Sequence, residues 1–177
     1  MSKSTTFAPD PLRDPIYIAV GRAIEEWSWV ETNLAILLEG LMWHGRSDLV
    51  GPAFHAVVNF NSKLKMVDTV AQRVLTAKRL DGWNTLRNRI SKKADKRNEI
   101  AHSAIVMHGR TAPLVARLHP YWAITKDIPA KKGDGLSVQQ LNERAASFTD
   151  VSIEILDFYR RLPKRLRPRA KSRPSRA

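Results

Sequence analysis

Apolar residues recur every three or four positions through most of this chain, and that period belongs to the α-helix. One stripe runs through Val20, Ile24, Trp27, Leu34, Leu38 and Leu41. A second runs through Leu64, Val67, Ala71, Val74 and Leu75, and a third through Trp83, Leu86, Ile90, Ala94 and Ala101. The last runs through Leu141, Ala145, Phe148, Val151, Ile155, Phe158 and Leu162. Each stripe is a helix face that must be covered by its neighbours. Local signals set the ends. Asp14-Pro15 reads as an N-cap with proline at the first helical position, and this helix should end near His44-Gly45. A short helix should follow Asp48, with Ala53, Phe54, Val57 and Val58 inward. Asn61 or Ser62 should cap the third helix and Asp81 the fourth, which runs to about His102. Ser137 opens the last helix, and Gln140 completes a capping box.

The period changes once. Residues 104–107 and 114–118 are short and apolar or β-branched, with Gly109, Arg110 and Thr111 between them, which predicts a β-hairpin. A polar loop with Pro129, Gly133 and Gly135 follows. The expected architecture is mainly α: a bundle of about four to five helices with a short β-hairpin before the last one. The 177 residues suit one domain that buries its own core. Its expected bounds are 14–162, with a flexible N-terminus at 1–13 and a disordered basic tail at 163–177.

Composition narrows the function classes. The chain has no cysteine, so disulfides and thiolate metal sites are out. His44, His55, His108 and His119 show no metal-ligand spacing, and no metal or cofactor is expected. No apolar run approaches the roughly 18 residues of a membrane span, and residues 1–15 lack the apolar core of a secretory signal. A cytoplasmic protein with no membrane partner is the expectation. The net charge is +13, and it is concentrated. Arg160, Arg161, Lys164, Arg165, Arg167, Arg169, Lys171, Arg173 and Arg176 supply nine positive charges, and no acid follows Asp157. Subtracting these nine leaves +4 on the rest. Such a proline-broken polycation reads either as a nucleic-acid-binding arm or as a solubilising tail.

One stretch breaks the helical pattern in a chemically pointed way. At about 100° per residue, Arg97 lies roughly 20° from Ile90, in the direction where a core residue is expected. Burying a guanidinium without partners is costly. Asn98 and His102 are four apart and share the adjoining flank. Glu31 likewise stands on the apolar stripe of the first helix, so an ion pair between Glu31 and Arg97 is expected, with the two helices packed together.

The run Arg97-Asn98-Glu99-Ile100-Ala101-His102 resembles the signature of the HEPN superfamily, an arginine and a histidine separated by four to six residues near the end of a bundle helix. The segments Trp27-Ser28-Trp29-Val30-Glu31 and Lys63-Leu64-Lys65-Met66-Val67-Asp68 are also similar to small bacterial HEPN-like proteins. The resemblance spans roughly residues 16–160, by order of elements more than by identity. It implies a metal-independent endoribonuclease whose homodimer brings two motifs into one cleft, acting as a toxin or defence factor with an antitoxin or other protein partner. His102 would serve as the base for the RNA 2′-hydroxyl. Arg97 would hold the phosphate bidentately. Asn98 would orient His102 or donate to a phosphate oxygen. Some superfamily toxins carry a tyrosine two residues after the histidine, where this chain has Ala104. The superfamily also contains non-catalytic modules that dimerise and bind nucleic acid or protein, and that alternative stays open here. So does a structural role for Arg97.

Overall fold

A computed structural model of the chain describes residues 9–42, 47–109, 114–121 and 135–163. It is mainly α, with a two-stranded hairpin before the last helix, as the pattern of periods predicts. The helices are α1 (Asp14–Leu41), α2 (Ser47–Ala56), α3 (Phe60–Val74), α4 (Ala77–Ala101) and α5 (Val138–Arg160). The strands are β1 (Ser103–His108) and β2 (Val115–Pro120), antiparallel, with Ser103 opposite Pro120 and His108 opposite Val115. Arg110 and Thr111 of the expected turn, and Pro129 and Gly133 of the expected loop, lie outside the described residues. So do Trp43, His44 and Gly45, where the first helix was expected to end.

Two compact units divide the chain: Met1–Trp27 with Asp95–Phe148, and Ser28–Ala94 with Thr149–Ala177. In the first unit, Ile16, Ala19, Ala23 and Trp27 of α1 are buried, as are Leu141, Ala145 and Phe148 of α5. Trp27 meets Phe148 edge-to-face, with centroids 5.3 Å apart, an arrangement aromatic rings favour. The capping box forms as expected: the Ser137 amide donates to Gln140 Oε1 at 2.9 Å, and the Gln140 amide donates to Ser137 Oγ at 3.2 Å. Backbone hydrogen bonds between Leu118 and Leu136, at 2.8 and 3.0 Å, tie the segment before α5 to β2. Gly135 permits this approach. Its φ of +93° is a glycine conformation, and a Cβ there would lie 2.4 Å from His119 Nε2.

In the second unit, Val30, Leu34, Leu38, Phe54, Val67, Trp83, Ile90 and Ile155 form the core. Trp83 is fully buried, so its indole N–H needs an acceptor. Asp68 Oδ1 accepts it at 2.8 Å, and Arg87 pairs with Oδ2 at 2.9 Å. Burial pushes the Asp68 carboxyl up, but hydrogen bonds from Trp83, Gln72 and Arg87, with the Arg87 charge, outweigh it and hold the group below its ordinary value. Lys63 is buried; its ammonium reaches Glu31 Oε2 at 2.5 Å and sits 5.2 Å from the Phe54 ring centre.

Several expected details change. Helix α3 starts before Asn61 and Ser62, because Asn59 takes the cap and accepts the Ser62 amide at 3.1 Å. Helix α4 starts at Ala77, so Asp81 lies within it. Phe54 of α2 is buried, but Ala53 and Val58 are exposed, Val58 at 96%. A ten-residue helix has room for only one anchoring side chain of that size on its core face. The ion partner of Glu31 is Lys63, on the third helix; Arg97 donates to Asn98 instead. The expected Glu31–Arg97 pair is therefore replaced. The one-dimensional pattern marked Glu31 and Arg97 as charges on apolar stripes but gave no signal at Lys63, whose burial is decided by packing.

Candidate functional site

The buried direction of α4 turns near its end. Trp83, Leu86, Ile90 and Ala94 are buried, as the stripe requires. In the last turns burial passes to Ile100, while Ala101, expected inward, is exposed. The chain leaves the helix there to enter β1, so the core side is set by the hairpin rather than by the earlier turns. Helix α1 behaves similarly at its start. Ile16, Ala19 and Ala23 are buried, whereas Val20 and Ile24 of the expected stripe are only half-buried.

The displaced stripes line one open groove of about 580 Å³ in the first unit. Its walls are Tyr17, Val20 and Ile24 of α1, Ile100 and Ala101 of α4, and Ala104 and Ile105 of β1; Arg97 is its charged residue. Arg97 thus sits at an apolar groove and not in the core proper, which resolves the anomaly in the helical pattern. Its Nη1 donates to Asn98 Oδ1 at 3.3 Å. Its Nε is buried, with no acceptor among the described residues. Desolvating a guanidinium nitrogen without an acceptor is unfavourable, so Arg97 is held at this groove at a cost to stability.

Asn98 is half-buried and uses its side-chain oxygen to orient Arg97, not His102. His102 is exposed at the end of α4. Its backbone is held on both sides: its amide donates to Asn98 O at 3.0 Å, and its carbonyl accepts the Tyr121 amide at 2.9 Å. No side-chain hydrogen bond to its imidazole occurs among the described residues. The ring is free to meet a substrate from a fixed backbone. Glu99, within the same run, pairs with Arg144 of α5 at 2.9 Å, and Arg144 also reaches the Lys96 carbonyl at 3.5 Å. The Ser103 hydroxyl donates to the Glu99 carbonyl. These contacts anchor the motif turn to α5 and β1. Arg144 was not singled out in the sequence, where a basic residue on an exposed flank of a helix carries no signal.

The remaining sequence-predicted site residues that are described belong to the second unit. Glu31 is engaged with Lys63. Arg160 and Arg161 are exposed, and Arg160 pairs with Asp157 at 3.3 Å. Lys164, Arg165, Arg167, Arg169, Lys171, Arg173 and Arg176 lie outside the described residues. Of the tryptophans, Trp27 and Trp83 are core, and Trp29 is 54% exposed. Among the described residues, no helix is long and apolar enough to cross a membrane, and no three His, Cys, Asp or Glu side chains cluster as metal ligands would. Comparison with family models, with curated proteins and with solved structures finds no match for this chain.

Proposed function

We propose that this chain is a HEPN-like endoribonuclease that cleaves RNA by attack of the 2′-hydroxyl on the adjacent phosphate, at a cleft shared by two copies. The observation that carries this reading is Arg97: a guanidinium at an apolar groove, oriented by Asn98. His102, one and a half turns along the same helix, has an imidazole able to exchange the hydroxyl proton. The charge that builds on the phosphate would be met by the arginines of both copies. A role as a toxin or defence factor, with a protein antidote, belongs to this proposal through the resemblance alone. The test is incubation of purified protein with mixed RNAs in EDTA, beside an Arg97→Ala/His102→Ala control. Cleavage by the wild type alone supports the proposal.

The alternative reading is a non-catalytic module of the same fold. The engagement of the Asn98 oxygen by Arg97, with no side chain among the described residues orienting His102, favours binding over catalysis. Intact RNA in both arms, with retention of RNA by the wild type only, would select it.

The groove beside Arg97 supports pairing of two copies. Tyr17, on its wall, is 58% exposed, an apolar surface that a second copy across a two-fold axis would cover. Light scattering at tens of micromolar should give twice the chain mass, in the concentration range where a standard interface is occupied. Tyr17→Glu should yield the monomer. A wild-type monomer at that concentration would remove the shared cleft.

The basic tail would add affinity without sequence preference. Each phosphate it neutralises should steepen the fall of log K with log salt by about 0.7 to 0.9. Deleting residues 164–177 should flatten that slope by several such increments. An unchanged slope would mean the tail does not touch nucleic acid.

A further inference from the structure

The hairpin carries a second constellation, independent of the ribonuclease reading. His108 lies at the end of β1 and His119 near the end of β2. Both point to the same face of the hairpin, since Ala104 is opposite His119 and Val115 is opposite His108. The ring centroids are 4.6 Å apart, with planes 30° apart. Their Nε2 atoms are 2.6 Å apart. His119 is 3% exposed, and His108 is half-buried.

Two imidazoles that converge through the same nitrogen can share one proton, one ring donating and the other accepting. The separation is at the short edge of hydrogen-bond geometry. A proton is not the only cation that fits between two imidazole lone pairs. First-row transition ions bind imidazole nitrogen at about 2.0–2.1 Å. Two nitrogens at that range stand about 3.3 Å apart on a tetrahedral ion and about 2.9 Å apart in cis positions of a square-planar one. Small rotations of the half-buried His108 would open the pair by that amount. On the other side the His119 ring packs against Gly135, where a Cβ would lie 2.4 Å from Nε2, so His119 is held in place and the adjustment falls to His108.

We propose that His108 and His119 form a two-imidazole site for a first-row transition ion such as Zn²⁺, Ni²⁺ or Cu²⁺, with water completing the coordination. No third His, Cys, Asp or Glu joins them among the described residues. Two protein ligands, one from each strand, would clip β1 to β2. Nitrogen ligands favour copper and nickel over the harder magnesium and calcium, so the last two should not compete. Two ligands eleven residues apart in sequence become neighbours only in the folded hairpin.

The test uses the full chain without a histidine tag. Titration with CuCl₂ and NiCl₂ by calorimetry should show one ion per chain at micromolar concentration, unaffected by millimolar Mg²⁺. Paramagnetic resonance of the copper-loaded protein should show nitrogen hyperfine structure from two imidazoles. His108→Ala should weaken binding by about tenfold or more, the scale on which even supporting groups of a metal site act, with unchanged circular dichroism. His55→Ala should bind like the wild type. His108 is chosen over the buried His119 because its loss leaves the core intact. The proposal is overturned if the wild type binds no more tightly than His108→Ala, or if the copper spectrum is the same in both.

Discussion

His102→Ala should slow RNA cleavage by about 100-fold or more, the usual scale for loss of a general acid or base. The products of the wild type should end in a 2′,3′-cyclic phosphate, because the attacking group is the neighbouring hydroxyl. Arg97→Lys should also fail: a point charge cannot grip a phosphate through a planar fork. Cleavage should persist in EDTA. Stability measurements separate a functional arginine from a structural one. A structural arginine is missed when it is removed. Here the Nε is buried without an acceptor among the described residues, so Arg97→Met should leave thermal stability equal or higher while cleavage is lost. If wild type and Arg97→Ala/His102→Ala leave RNA equally intact, catalysis falls and the binding module replaces it. If cleavage vanishes in EDTA, the activity resides elsewhere than in this pair.

The second large effect concerns the buried ion pair. Lys63 has a side chain only 9% exposed, and Glu31, at 22%, is its carboxylate partner. Glu31→Ala strands a desolvated ammonium. Breaking such a pair from one side costs about 3 kcal/mol, mostly the penalty of the charge left behind. For a chain of this size that lowers the melting temperature by roughly 6–12 °C. The double replacement Glu31→Leu/Lys63→Met removes both charges and keeps the volume. It should recover most of the loss, because burying two well-matched apolar side chains is often neutral relative to the pair. A thermal melt of the three proteins decides the matter. Equal melting points for single and double variants would mean that the charges are not coupled.

Much of the fold could be read from local rules. The four long helices follow from three-and-four spacing, and the hairpin from the change of period at residues 104–107. The Ser137–Gln140 capping box formed with both hydrogen bonds, since that interaction involves residues only three apart. Caps were harder where several polar residues compete. Asn59, Asn61 and Ser62 all suit the start of α3, and the choice of Asn59 depends on where the chain leaves α2. The candidate site was legible in part for the same reason. Arg97, Asn98 and His102 lie within six residues on one helix, so helical geometry alone puts them together. Arg144, 45 positions beyond Glu99, could not be found that way.

The sequence by itself determined the helical periods, the hairpin, the concentration of charge after Asp157 and the identity of the motif residues. All of these depend on side-chain chemistry and on separations of a few residues. Only the tertiary structure decided that Glu31 meets Lys63, that Arg97 borders a groove rather than the core, and that His108 reaches His119. Those outcomes depend on which helix faces which, on where the buried side of α4 turns as the chain enters β1, and on the register of two strands. A periodic pattern specifies that a face is covered, but it does not name the residue that covers it.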